Sequence, residues 1–481
     1  MNDTTTPASA APLPADPAPA GPPLRHAGPA GIAGWVLFDW SMQPFFTLVT
    51  TFVFAPYFAA RLAPTPADGQ ALWGYATAAA GLVIALMSPV LGAIADASGR
   101  RKPWVMGFGL LMAVSSVALW WAAPGAPAAV TLALGAFVLG TIGAEFATVF
   151  NNAMMPGLVP QERLGRLSGL GWACGYVGGL VSLALTLGFL AADPETGRTL
   201  LGHPPALGLD PAASAGDRAS GPLSAVWFLI FVLPMLVFTP DVPPSGLPLR
   251  EAATRGMAAL KKTGRALLAE ERNMARFLLG NMIAMNGLGA LFAFGGIYAA
   301  GVFGWATIEI GIFGILLTIT GSIGAYLGGR LDDRFGSKPV VCGALAILIA
   351  TAVLIVSIDA DHIFFVVAAA GPSPGDGLFA STPERLYVLL GCVIGMAAGP
   401  LQAGARTLLA RLAPQDRIGQ YYGLFALSGK VTSFLGPLGV ALVTDLTGSQ
   451  RAGASVLIGF FGVGLWFLAG VAGRRAPAQW Q

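Results

Sequence analysis

Charge is what this sequence has least of. Only 11% of its 481 residues are Asp, Glu, Lys or Arg, against roughly 25% in an ordinary soluble domain. With 55% hydrophobic residues, lipid must be part of its solvent. Histidine and cysteine are almost as scarce. His26, His203 and His362 fall far apart in a tail and loops, with no metal-ligand spacing. Cys174, Cys342 and Cys392 lie inside apolar runs, which suggests buried small hydrophobes and no disulfide framework. No G-x-S-x-G elbow or G-x-x-x-x-G-K-[ST] phosphate loop occurs, so the marks of an enzyme or an ATP-driven machine are missing. No cofactor, metal or nucleic-acid partner is expected. Alternating ten-residue segments, the sign of a β-barrel, are absent. No sizeable soluble stretch exists to read out a signal, which weighs against a sensor.

What is present is a recurrence of apolar segments, each long enough to cross a hydrocarbon core of about 30 Å as a helix. Twelve are expected: 32–62, 71–95, 103–123, 128–155, 167–192, 224–240, 274–302, 307–330, 338–357, 385–412, 418–445 and 452–473. The 65 glycines let such helices approach closely. The fold class predicted is an all-α integral membrane protein. Residues 1–30 carry eight prolines and no basic start followed by an apolar core, which predicts a disordered tail and not a signal peptide. If both ends face the cytoplasm, twenty Lys/Arg lie in the tails and the loops after even-numbered spans, against five in the other loops. That bias supports this orientation. Seven basic residues between Arg250 and Arg276 mark a cytoplasmic linker, 242–273, between bundles at 31–241 and 274–475. Its Met257, Leu260, Leu267 and Leu268 predict an amphipathic helix on the membrane surface.

The loop after the second span reads GAIADASGRRKP from Gly92, and that after the eighth reads GRLDDRFGSKP from Gly329. Both fit G-x-x-x-D-x-x-G-x-[RK], with Gly92, Asp96, Gly99 and Arg101 matched by Gly329, Asp333, Gly336 and Lys338. A second pair follows the fourth and tenth spans: PQERLGRLSGL from Pro160 and PQDRIGQYYGL from Pro414. Two matches in the same order indicate an internal duplication, six helices plus six. The first loop resembles the signature of the major facilitator superfamily, with Arg100 also in place and Arg334 restoring the base that Ala97 replaces. The segment FDWSMQPFFTLVTTFVFAPYF, 38–58, and the section Gly399–Pro437 are similar to the vacuole-effluxer-like branch, relatives of the vacuolar amino-acid permease. The resemblance implies two pseudo-symmetric six-helix bundles around a cavity open alternately to the two sides, in the inner membrane of a bacterium, as a monomer. It implies a secondary active transporter of a small organic solute. Proton-coupled export of amino acids is the reading the branch suggests; a drug, lipid or sugar is the alternative.

Ionisable groups inside spans are costly, so they should face water or pair. Asp39, Gln43, Thr47 and Thr50 share one helical face. Thr141, Glu145, Thr148 and Asn152 repeat the pattern on the fourth span. In the arrangement that the resemblance implies, spans 1, 4, 7 and 10 line the cavity, which makes these stripes a candidate pathway with Asn281, Gln402, Arg406 and Lys430. Acids in one half and bases in the other suggest Glu145 with Arg406 and Asp39 with Lys430. Arg406 would also suit a substrate carboxylate. Asp96 is expected at the N-terminus of the eleventh span and near Arg100 as a weak, reversible gate. Glu309 reads as interfacial. The glycines of GLGWACGYVGG, Gly169–Gly179, read mostly as packing, with Tyr176 where exporters often carry proline.

Overall fold

A computed structural model describes residues 26–193, 196–269, 271–305, 307–371, 377–430 and 432–472. The expected disordered tail lies, up to residue 25, outside them, as do residues 372–376 of the loop between the ninth and tenth spans. Among the described residues, twelve helices can cross a membrane. Spans 1 to 6 are Pro29–Leu62, Asp68–Ser98, Lys102–Trp121, Ala129–Gly157, Gln161–Leu190 and Ala215–Phe238. Spans 7 to 12 are Arg272–Phe303, Glu309–Phe335, Ser337–Val356, Thr382–Leu412, Gln415–Thr447 and Gln450–Ala469. The ends carrying the duplicated motifs form one face, termed here the loop face.

Local chemistry sets the ends. The Thr65 side chain accepts the Asp68 amide to open span 2, which stops at Gly99 with φ +89°. Span 8 stops in the same way at Gly336, φ +88°, a conformation that only glycine adopts without strain. Span 10 opens on a capping box between Ser381 and Glu384, and the buried Glu384 carboxylate also accepts the Trp305 indole at 2.9 Å. Span 6 starts nine residues earlier than its apolar run suggests. Its first turns hold Asp217 and Arg218, and Arg218 is buried by donating to the Trp120 carbonyl at 2.7 Å. Such a residue counts as polar in a hydropathy reading although its charge is accommodated at the helix end.

Span 1 is the least regular. Pro44 cannot donate to the Trp40 carbonyl one turn back. The Trp227 indole of span 6 takes that acceptor at 3.1 Å, and the two tryptophans stack at 5.4 Å. From Phe45 to Phe52 the helix widens to i→i+5 bonding, a form common at functional sites.

The helix Leu249–Ala269 joins the halves. It does not simply lie along the membrane surface as its amphipathic pattern suggests. Ala252 and Thr263 are fully buried, and Gly256 sits against the Ala93 carbonyl of span 2.

The duplicated motifs meet crosswise. Asp96, at the end of span 2, accepts the amides of Gly419 and Gln420 at 2.9 and 2.8 Å, at the start of span 11. Asp333, at the end of span 8, accepts the Arg166 amide at 3.2 Å and pairs with its guanidinium at 3.0 Å, at the start of span 5. Each half's signature acid therefore caps a helix of the other half, where the helix dipole favours an anion. The side-chain partner of Asp96 is Arg101, at 2.9 Å, and not Arg100, which is exposed. Gly99 turns the chain so that the second base, one residue further on, folds back over the carboxylate.

Packing between the halves gathers at this face. Span 2 lies against Ile418–Lys430, while the rest of span 11, Leu435–Thr447, packs on spans 7 and 12. The molecule is thus closed at the loop face.

Candidate functional site

Besides the Arg166–Asp333 pair at the loop face, two ion pairs among the described residues cross between the halves deeper in the spans. Nearer the loop face, the Arg406 guanidinium of span 10 meets Asp39 of span 1 at 3.1 Å. The same nitrogen donates to the Asn152 side chain of span 4 at 3.1 Å. Its Nε donates to Ser168 Oγ at 2.9 Å, and Nη2 donates to the Ser168 carbonyl of span 5 at 2.6 Å. Trp35 and Trp172 rings flank the guanidinium, with centroids at 5.1 and 5.8 Å. The Arg406 side chain is 5% exposed and that of Asp39 14%. One residue of the second half is thereby fastened to three spans of the first.

Farther from the loop face, Lys430 Nζ at the end of Ile418–Lys430 meets Glu145 of span 4 at 2.6 Å. These side chains are 34% and 19% exposed, so this pair is the less enclosed of the two. The observed pairing corrects the expected one: Asp39 takes Arg406, and Glu145 takes Lys430. Depth is the reason. Asn152 and Glu145 lie seven residues apart on span 4, about 10 Å along its axis. Arg406, close to the end of span 10 at Leu412, is level with Asn152, whereas Lys430 is carried up to Glu145.

Arg406 is also less available than expected. A guanidinium has five N–H donors, and four contacts to protein acceptors already engage it. That leaves no bidentate edge for a substrate carboxylate in this state.

Gln402 donates to the Tyr176 hydroxyl of span 5 at 2.8 Å, a further link between the halves. Gln43 and Thr47 are half-buried. They lie against Gly175 and Gly179 of span 5, and Asp39 lies against Gly171. Asn281 is buried at 2% exposure and joins neither pair. Several participants carried no sequence signal of their own: Trp35, Ser168, Trp172 and Tyr422, whose hydroxyl donates to the Arg406 carbonyl at 3.1 Å. Trp35 precedes Asp39 by one turn on the same face, a cue that periodicity contains once Asp39 is in question. At the loop face Arg411 pairs with buried Asp332 at 2.7 Å, donates to Ser337 at 2.8 Å and reaches the Gln161 carbonyl of the other half at 3.3 Å.

The family described as vacuole effluxer Atg22 like matches residues 59–480. The chain belongs to that family. A Bacillus subtilis relative, the uncharacterized MFS-type transporter YxiO, is 23% identical over 441 residues, 90% of this chain and 93% of its own length. Autophagy-related protein 22 of Cryptococcus neoformans is 28% identical over 326 residues, 66% of this chain and 52% of its own. The chain spans about half the length of that fungal relative. Among solved structures, the transporter FucP in its outward conformation aligns with a TM-score of 0.65 at 16% identity, covering 92% of this chain and 98% of its own. The proton:xylose symporter XylE aligns with a TM-score of 0.62 at 16% identity, over 92% and 95%. This Atg22-like chain is accordingly an integral, multi-pass membrane transporter with the two-bundle major facilitator fold.

Proposed function

We propose that the chain moves a small amphoteric organic solute, an amino acid or a close relative, by proton-coupled alternating access. The observation carrying this reading is the pair of cross-half ion pairs at two depths, one enclosed and one less enclosed. The enclosed Asp39–Arg406 cluster acts as a latch for the state closed at the loop face. The Lys430–Glu145 pair, the less enclosed of the two, meets the solute: Lys430 takes a carboxylate and Glu145 an ammonium group or a proton. Substrate that competes for Lys430 leaves the Glu145 carboxylate free to meet the solute's ammonium group or a proton. Basic-residue placement supports a cytoplasmic loop face in a bacterial inner membrane, and export is the direction the family description suggests. The named residues account for reversible state changes without any nucleotide.

The test uses proteoliposomes with amino acids as first substrates, with and without an imposed proton gradient. Glu145→Gln should abolish gradient-driven movement while sparing solute exchange, and Lys430→Gln should weaken solute binding. Gradient-driven movement unchanged in both variants would sink this assignment.

A further inference from the structure

Between spans 9 and 10, on the face opposite the loop face, the strands His362–Ile363 and Val367–Ala368 pair into a short antiparallel hairpin. Its tip reads Phe364, Phe365, Val366, and Val367 continues the run. These four apolar side chains are 49–80% exposed, Val366 the most. A loop tip in water is ordinarily built from glycine, asparagine, aspartate or serine. This one is apolar and is also bent against its own preference. Phe364 and Phe365 take φ of +52° and +65°, a region that bulky residues seldom enter. Such strain persists only where the surroundings enforce it, and it marks segments with a role.

The base of the hairpin does the enforcing. Asp359 accepts the amides of Asp361 and His362 at 2.9 and 2.6 Å and pairs with Arg451, near the start of span 12, at 2.8 Å. Arg451 also donates through Nε to the Val356 carbonyl, at the end of span 9, at 2.9 Å. The Phe365 amide donates to the Ser357 carbonyl at 2.9 Å, and its ring lies over the Arg451 guanidinium, 5.0 Å from the centroid. Phe365 is therefore held level with the ends of spans 9 and 12, where the apolar thickness of the molecule stops. Spans 9 and 12 pack on each other and on spans of their own half, so the hairpin stands at the rim of the molecule. Below it, the exposed Ile347 and Val353 of span 9 belong to the surface that faces lipid, and the tip continues that surface.

We propose that Phe364, Phe365 and Val366 enter the boundary between headgroups and acyl chains of the leaflet on that side, and anchor this corner of the second half to lipid. Aromatic rings favour that layer, and apolar area buried in it adds to the binding. The patch is too small for a stable protein–protein interface, whereas it suffices to dip into a bilayer that already borders it. The anchor rests on the membrane fold and not on the transport reading.

Nitroxide labels read the depth of the tip. The full chain, with Cys174→Ala, Cys342→Ala and Cys392→Ala, carries a single label at Val366→Cys and is reconstituted into phosphatidylcholine vesicles. Collision of the label with oxygen, which dissolves in lipid, should exceed collision with a water-soluble nickel chelate several-fold. A label at Asp210→Cys, exposed in the loop between spans 5 and 6 on the same face, supplies the aqueous reference. A water-like ratio at Val366 overturns the proposal. Low collision with both reagents overturns it as well, since a protein surface would then cover the tip.

A second variant removes the anchor while keeping the turn. Phe364→Asn with Phe365→Gly places residues that adopt left-handed backbone readily, so the hairpin should stay folded on its Asp359 and Arg451 base. In that variant the label at Val366→Cys should lose its preference for oxygen and approach the Asp210 reference. A preference for oxygen kept in full would mean that the flanking spans, and not the two phenylalanines, hold the tip in lipid, which overturns the assignment.

Discussion

At the scale of single residues, the enclosed cluster depends on each charge keeping its partner. Removing one member of a buried pair strands the other, at a cost of roughly 3–5 kcal/mol. Arg406→Ala should therefore lower the unfolding midpoint substantially. Asp39→Asn combined with Arg406→Gln should recover much of the loss, because no charge is left stranded. A double variant as unstable as Arg406→Ala alone would mean that the loss came from packing between Trp35 and Trp172. Gly171 is a second sensitive point. A Cβ there would collide with the Asp39 carboxylate and press on Arg406, so Gly171→Ala should destabilise by about 1–3 kcal/mol, although alanine is the better helix former. Calorimetry or denaturant unfolding of the two proteins decides the sign. The charged residues at this site were visible in the sequence because hydrocarbon makes them conspicuous. Their partners were not, because a one-dimensional pattern places Glu145 and Asp39 on polar stripes without saying which base arrives at which depth.

At the scale of helices, span 1 shows how a local defect is compensated from afar. Pro44 releases the Trp40 carbonyl, and Trp227 occupies it. Trp227→Phe keeps the ring stack and removes that one bond, which predicts a loss of about 1 kcal/mol and faster amide exchange around Phe45–Phe52. Exchange unchanged in that segment would show that the widened helix does not lean on span 6. Span identities were readable throughout, since length and hydropathy alone single out a membrane helix. The early starts of spans 5 and 6 were not, because their first turns carry polar residues held by tertiary contacts, such as Arg218 on the Trp120 carbonyl.

At the scale of the whole molecule, the crossed caps Asp96 to span 11 and Asp333 to span 5 act on one equilibrium. Each carboxylate at a helix N-terminus contributes about 0.3–1 kcal/mol when exposed and up to about 2 when partly buried. Asp96→Asn and Asp333→Asn should each shift the closed-to-open ratio by a few-fold to about ten-fold, and the two together should nearly multiply. Distance distributions between labels at Arg100 and Arg334 report that ratio. A double variant no more open than either single would indicate that one cap alone holds the loop face. The duplication that makes the caps symmetric was legible from two motif pairs, down to the glycines, which both take φ near +89°.

Composition, hydropathy and the repeat by themselves determined a twelve-span chain made of two related halves with a few costly charges inside. These follow from the solvent, which punishes polarity in every span alike and leaves that record in the order of residues. Tertiary structure alone decided that Arg406 fastens to Asp39, Asn152 and Ser168, that Lys430 reaches Glu145, and that Arg101 rather than Arg100 covers Asp96. Those outcomes depend on the relative depth and rotation of helices hundreds of residues apart. That register is set by packing between the halves, which no local pattern encodes.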